Sequence, residues 1–322
     1  VQETVDAEGE EGHDEKRHGN CGCDDSDSAR AGFRKVEVPE KGEHGDGTRE
    51  CRTKAKAPID RYDAAVVAFP SVVSGDDIDI SATSFVAFQR CPELAASRYR
   101  GEFGPDSRPG FAGQLAHRIF ARHLAAGPIE GAAAFSQACR EEIGSGMNVK
   151  VGALGLKPSQ LRSVIEETSA LYDRFKAMEF DGFAGAEVSL EVTPAPGVVL
   201  KGTIDAVFDD ASGWRLVDWK TGGIYEDAGY QLDFYALLWA LDRGEPPGRV
   251  EAVSVKTGER HDAVPGTDSL REAAGAVAVM VDTLRTSWAE DLAPERRGGP
   301  WCRFCPVLSS CDEGAAAVKA AG

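Results

Sequence analysis

Two hydrophobic periods divide the chain. From about Ile78, apolar residues recur every three or four positions, and Ser81 or Thr83 offers a cap for a helix running through Phe85, Phe88, Leu94 and Tyr99. Helical spacing returns over residues 111–125, 129–143 and 158–178. The period then drops to two over residues 183–192, 198–208 and 214–220, which are separated by short polar or glycine-containing turns. A helix over 228–242, a strand pair over 250–256 and 260–264, and a helix over 269–290 follow, and the chain ends in a cysteine-rich segment. Helices before and after a central group of strands predict an α/β domain, an α+β sandwich in the wider sense, with a mixed sheet flanked by helices.

Residues 1–56 show neither period. They are rich in Glu, Asp, Gly, His and Lys, with Phe33 as their single aromatic residue, and such a composition cannot bury enough surface to offset its ordering entropy. The expected organisation is an acidic disordered tail or linker over 1–75, a folded domain over 76–314 and a flexible C-terminus over 315–322. In 322 residues the net charge is −17, so attraction of the whole surface to a polyanion is excluded, and any nucleic acid must be held by a local basic groove or through metal ions. The longest run of small apolar residues, Ala273 to Val281, is nine residues, far short of the roughly 20 needed to span a bilayer. No charged-then-apolar leader opens the sequence, so the eight cysteines point to metal ligation in a reducing cytoplasm before disulfides.

The strand alternation carries the candidate chemistry. Leu200, Gly202, Ile204 and Ala206 share one face of their strand, and Lys201, Thr203 and Asp205 share the other. In the next strand Trp214, Leu216, Asp218 and Lys220 have common parity, so Asp218 and Lys220 project side by side. A loop of residues 210–213 closing Asp209 on Trp214 sets Asp205 directly opposite Asp218. Carboxylates so placed, with Cβ atoms roughly 4.5 to 5.5 Å apart, repel each other, and a cation relieves the conflict. An oxygen-rich site of this kind suits Mg²⁺ or Mn²⁺, and the adjacent lysine could orient or deprotonate an attacking water. The plainer alternative is a surface hairpin whose acids are solvated and screened by the lysine. No G-x-x-x-x-G-K-[ST] loop is present, which excludes a Walker-type ATPase within this sequence.

The series Gly202-Thr-Ile-Asp205, Val217-Asp218-Trp-Lys220-Thr-Gly222 and Tyr230-Gln231-Leu232 with Tyr235 following resembles the core of the PD-(D/E)XK nucleases of RecB type. The resemblance implies a restriction-endonuclease-like core over residues 78–312 in which Asp205 and Asp218 hold the metal, Lys220 assists water activation, and Gln231 and Tyr235 line the site and meet DNA. It also implies an upstream helix histidine, and Gly113-Gln-Leu-Ala-His117 fits that pattern, although on a helical wheel His123 sits nearer the centre of the apolar arc. The metal set is then His117, Asp205, Asp218 and the Trp219 carbonyl. The implied activity is metal-dependent exonucleolytic hydrolysis of DNA, at single-stranded ends, in repair or recombination and with a possible helicase or repair-complex partner. A non-catalytic DNA-binding or scaffolding module is the alternative from another class.

Cys302, Cys305 and Cys311 form C-x2-C-x5-C, and three thiolates leave a four-coordinate site incomplete. Cys91, in Phe88-Gln-Arg-Cys-Pro92, is the candidate for the fourth ligand. The iron-sulfur branch of the same nucleases, to which the AddB nuclease domain and CRISPR-associated adaptation nucleases belong, has one cysteine before the core and such a triplet after it. The resemblance therefore implies a 4Fe-4S cluster stapling the two ends of the domain, while spacing alone equally admits a zinc site. Cys139 reads as a core or solvent-facing residue, and Cys21, Cys23 and Cys51 carry no ligand pattern. Arg90, Arg98, Arg100, Arg118 and Arg122 lie on the helices that bear Cys91 and His117, and some of them are expected to line a strand-binding groove.

Overall fold

The computed structural model describes residues 67–321. The tail expected over 1–75 therefore lies mostly outside the described residues, as do Cys21, Cys23, Cys51 and Phe33. Residues 67–75 depart from that expectation: Val67 is buried and Phe69 and Val72 pack on the core. Asp282 accepts a hydrogen bond from the Val73 amide at 2.8 Å, and the buried Arg285 donates to the Val73 carbonyl at 2.7 Å.

A short strand β1 (Ile78–Ser81) leads into helices α1 (Ala82–Arg90) and α2 (Pro92–Tyr99). Ser81 caps α1 reciprocally with Ser84, satisfying an amide at each position. The single helix expected through Tyr99 is broken at Cys91, which is extended at φ −162° and ψ 116°. The cause is Pro92, whose ring disfavours helical geometry in the residue before it while fitting the first turn of the helix it opens. Helices α3 (Arg108–Ala126), α4 (Ala132–Gly146), α5 (Asn148–Ala153) and α6 (Pro158–Lys176) follow, then β2 (Phe183–Ala195), β3 (Val198–Asp210), β4 (Gly213–Lys220), α7 (Ala228–Arg243), β5 (Arg249–Ser254), β6 (Arg260–Ala263) and α8 (Thr267–Glu290). Two short 3₁₀ turns carry the cysteine triplet, and a final helix α9 (Asp312–Ala320) replaces the flexible end expected from 315.

Among the described residues the strands form one mixed sheet in the order β1-β3-β4-β5-β6, with β2 also paired to β3. Its two faces bury separate apolar clusters. One packs α1, α2, α7 and α8 through residues such as Phe85, Leu94, Trp239 and Val277. The other packs α3, α4 and α6 through Phe120, Phe135 and Phe175, with Phe120 and Phe175 stacked at 4.2 Å. This is the mixed sheet flanked by helices that the alternating periods predict.

β1 runs parallel to β3 and β4 runs antiparallel to it, and both approach the middle of β3 with their C-terminal ends. The β1 pairing stops at Ser81 opposite Lys201, and the β4 pairing stops at Val217 opposite Ala206. Between those points the Gly202–Asp205 stretch of β3 has no paired strand on that edge, while β2 pairs along the opposite edge. Gly202 matters here, because a Cβ there would stand 3.1 Å from the Tyr235 ring and from Leu238; its absence lets α7 lie close against β3.

Candidate active site

The β3–β4 hairpin closes on two residues, Ala211 and Ser212, with Asp210 paired to Gly213, so the loop is shorter than the four residues expected. The register is nevertheless the one that sequence parity predicts: Asp209 opposes Trp214 and Ala206 opposes Val217, and extending it by one step sets Asp205 against Asp218. On the other side, β2 pairs Ala186 with Ala206 and Val188 with Ile204, which sets Glu187 against Asp205. Three carboxylates thus stand abreast across three strands. Glu187 adopts φ 51°, a left-handed conformation that costs a non-glycine residue roughly 1–2 kcal/mol.

Each acid is held differently. Asp205 Oδ2 accepts from the Trp219 amide at 2.7 Å, and Asp205 Oδ1 lies 3.2 Å from Nδ1 of His117 on α3. Asp218 is buried and its Oδ1 accepts from Gln231 Nε2 at 2.8 Å. Lys220 Nζ is 2.6 Å from Asp218 Oδ2, but off the direction a hydrogen bond requires, so that oxygen has no hydrogen-bond partner among the described residues. Gln231 is the hub of the arrangement: its Oε1 accepts from Lys220 Nζ at 2.6 Å while its Nε2 also reaches the Tyr235 hydroxyl at 3.1 Å. Gln231 and Tyr235 are one turn apart on α7, which places both over the acids.

The electrostatics record the crowding. Burial, then the charge of Asp205, pushes Asp218 up to about 6 against the opposing pull of Lys220. Burial and Asp205 likewise push Glu187 up to about 7. Burial works against a charged His117 ring, yet Asp205, with Asp218 and Glu187 behind it, outweighs this and raises His117 to about 9. Burial and the same acids push the Tyr235 phenol upward, which keeps it a neutral hydrogen-bonding group. His117, Asp205, Asp218, Lys220, Gln231 and Tyr235 line one open cleft of about 420 Å³, shared with Trp219 and, from α1, with Val86 and Arg90.

His117, Asp205, Asp218, Trp219, Lys220, Gln231 and Tyr235 are therefore brought together. Glu187 belongs with them and is missed by sequence reasoning; in an alternating strand it reads as a solvated acid, and only its register with Asp205 distinguishes it. His123 has a different place, buried with its Nδ1 2.9 Å from the Tyr172 hydroxyl. Of the arginines, Arg90 lines the cleft and is bound to Asp227. Arg100 is engaged by Glu93 and Glu102, Arg118 by Glu142, and Arg122 by Glu141. The expectation of a groove drawn from these helices thus narrows to Arg98, which has no acid partner among the described residues, and to Arg90, which lines the cleft although it is paired with Asp227.

The remaining candidates meet elsewhere. Cys91, Cys302, Cys305 and Cys311 converge on one narrow pocket of about 10 Å³ between α2 and the C-terminal turns. Backbone amides of Arg297, Gly299 and Gly314 point at the sulfurs of Cys91, Cys302 and Cys311, each at 3.3 Å. Cys139 is fully buried in the α3/α4/α6 cluster, where desolvation first, and Glu142 second, push its thiol up to about 12.

As the side chains stand, no group of three or more His, Cys, Asp or Glu among the described residues closes tightly enough to hold a metal ion. At the carboxylates the donors presently satisfy one another: His117 leans on Asp205, and Gln231 and Lys220 occupy Asp218. Two features fit a cation nonetheless, the buried Asp218 Oδ2, which accepts no hydrogen bond and is met only by the Lys220 charge, and the excess of oxygen donors. At the thiols, four sulfurs around one space match the donor set of a cysteine-ligated centre.

No curated protein matches the chain. Among solved structures, SSO0001 is similar at 15% identity and a TM-score of 0.33, over 74% of this chain and 88% of that one. The family model described as the PD-(D/E)XK nuclease superfamily matches residues 79–312, a span that runs from β1 through the paired acids, Lys220 and α7 to the cysteine triplet. On that match, covering well over half its length, the chain belongs to the PD-(D/E)XK nuclease superfamily.

Proposed function

We propose that this nuclease-superfamily chain is a metal-dependent deoxyribonuclease of RecB type that hydrolyses phosphodiester bonds at single-stranded DNA ends. The observation that carries the reading is the row of Glu187, Asp205 and Asp218, because three acids set together against their mutual repulsion are explained by a cation that they hold. His117, Asp205, Asp218 and the Trp219 carbonyl would hold Mg²⁺ or Mn²⁺, with Glu187 as a further carboxylate. Bound there, the ion would supply Lewis-acid stabilisation of the charge that develops on the phosphate. Lys220, fixed beside Asp218 by Gln231, positions the attacking water and adds positive charge at the reacting phosphate. Tyr235 fixes Gln231 in turn, and Arg90 at the mouth of the cleft meets the phosphate backbone.

The four converging cysteines support a 4Fe-4S centre of the iron-sulfur branch, ligated by Cys91, Cys302, Cys305 and Cys311. The resemblance to helicase-associated relatives carries the reading to DNA repair or recombination. Among the described residues no helix is long and apolar enough to cross a membrane. The test is digestion of single-stranded DNA labelled at either end, with Mg²⁺ or Mn²⁺ and with chelator. Metal-dependent loss of label that disappears in Asp218→Ala supports the reading; equal digestion by the variant refutes it.

A further inference from the structure

A second cleft, wider than the one that holds the acids, opens on the other end of α1. Its volume is about 710 Å³, and its lining includes Thr83, Arg98, Tyr99, Phe103, Lys201 and Phe304. Two features relate it to the candidate active site. Thr83 in this cleft and Val86 in the other are one turn apart on the same side of α1. Lys201 here and Asp205 there have the same parity on β3, four residues or about 13 Å apart. The two clefts are consecutive stations along one helix and one strand.

The chemistry of the wider cleft differs from that of the acid row. Phe103 and Phe304 are 70% and 72% exposed, large apolar surfaces left in water at one place by segments 200 residues apart. The two segments touch: a Cβ on Gly104 would lie 2.5 Å from the Phe304 carbonyl oxygen, so the loop after α2 closes on the cysteine-bearing turn only because residue 104 has no side chain. Phe304 itself lies between Cys302 and Cys305, which makes the position of its ring a consequence of how the thiols are held. Arg98 spends Nη1 on the Thr83 carbonyl at 2.8 Å, and its other guanidinium N–H groups have no protein acceptor among the described residues. Lys201 is paired with Asp79, and Asp106 also faces the space, so the cleft has no net excess of acid. Exposed aromatic faces beside arginine and lysine are the recurring means of holding single-stranded nucleic acid without regard to sequence, since every base has a face to stack.

We infer that this cleft is a nucleobase-stacking subsite in which Phe103 and Phe304 grip a base of the substrate strand some distance from the scissile phosphate. The inference rests on the nuclease reading above and adds a role for the cysteine-bearing turn, which presents Phe304 to the strand as well as closing the domain. It also commits the occupant to single-stranded nucleic acid, because the cleft lies one turn along α1 and four residues along β3 from the site where a phosphodiester would be cut.

The experiment uses the full chain, Ca²⁺ in place of Mg²⁺, and fluorescently labelled oligothymidine of 20 nucleotides. Phe103→Ala and Phe304→Ala should each weaken binding about tenfold, the factor expected for loss of one base–aromatic stack, and Phe304→Trp should restore it. Hydrolysis of bis(p-nitrophenyl) phosphate, too small to reach the cleft, should be unchanged in all three, which guards against misfolding. In wild type, a single abasic residue moved along the strand should weaken binding at one position, and that position should lose its effect in Phe304→Ala. Unchanged binding by the alanine variants, or an abasic scan with no sensitive position, overturns the subsite while leaving the nuclease reading standing. Wild-type protein that neither binds nor cuts any strand overturns both.

Discussion

Asp218→Asn separates a metal-holding acid from a structural ion pair. The side chain is 6% exposed, faces Asp205 across the hairpin and has one oxygen without a hydrogen bond. Its carboxyl is raised from 3.8 to about 6 despite Lys220, so above that range the folded, metal-free protein carries a charge it disfavours. About two pK units correspond to roughly 3 kcal/mol at pH 8. The penalty is absent well below 3.8, about half developed at pH 5, and complete above 6. Asparagine keeps the acceptor for Gln231 but turns an amide toward Lys220 Nζ, which offsets part of the gain. The net expectation in chelator at pH 8 is a variant about 1–3 kcal/mol more stable than wild type, several degrees in Tm, with the advantage shrinking toward pH 5. Adding Mg²⁺ to about 1,000 times Kd should reverse the order, because wild type then gains about 4.1 kcal/mol and the variant gains little. Thermal melts at pH 5 and 8, with chelator and with Mg²⁺, read all four states. A variant destabilised by more than about 1 kcal/mol at pH 8 in chelator would show that Asp218 serves Lys220 as a structural partner, and the metal assignment would fall.

Glu187→Gln should lower hydrolysis at least tenfold and flatten the pH dependence of metal-free stability. Glu187 is raised from 4.5 to about 7, so wild type loses stability as pH climbs through that window, and His117, raised from 6.5 to about 9, contributes stability below 6.5 that is lost as pH rises through 9. Melts in chelator from pH 5 to 9 measure the slope, and an unchanged slope in the variant would disprove the acid row. Lys220→Met should abolish hydrolysis of single-stranded DNA while leaving Mg²⁺-induced stabilisation in place, which melts and end-label assays report separately. Anaerobically purified wild type should be brown with about four irons per chain. Cys91→Ser should lose iron and stability together while Cys139→Ser, deep in the opposite cluster, should keep its iron; the reverse pattern in an iron assay would displace Cys91 as ligand.

The parts of the site that were legible in the sequence are those set by strand parity. Alternation places Asp218 beside Lys220, and a short turn after Asp209 fixes the register, so a loop two residues shorter than expected still sets Asp205 against Asp218. Gln231 and Tyr235 were legible as a helix pair for the same local reason. What escaped depends on partners remote in the chain. Glu187 is one acid among several in β2 until β3 lies beside it, and β1 is four residues that gain strand character only from pairing with Val198–Lys201. Arg100, Arg118 and Arg122 look free in sequence and are neutralised by acids of α2, its following loop and α4. The break at Cys91 was readable, since a residue preceding proline is biased out of the helix, but the apolar spacing through Leu94 masks it.

That break links the two candidate centres physically. Because Cys91 is extended, its sulfur turns away from the axis of α1 toward the C-terminal turns, while the residue before it, Arg90, turns toward the acids and binds Asp227 at the start of α7. Asp227 in turn precedes the helix that carries Gln231 and Tyr235. Loss of a thiol-bound centre would leave Cys91 tied to the C-terminal segment by hydrogen bonds such as that from the amide of Arg297 rather than through shared ligation, and the first element to move would be the end of α1. The consequence reaches the cleft through Arg90 and Asp227, before any effect on the sheet. A protein stripped of iron yet still folded should therefore bind divalent metal through its acids with little change, since β2, β3 and β4 hold those, and should lose affinity for DNA, since α1 and Phe304 hold that. Mg²⁺-dependent melts and Ca²⁺-supported DNA binding on the same stripped sample distinguish this from a purely structural staple, for which both would decline together.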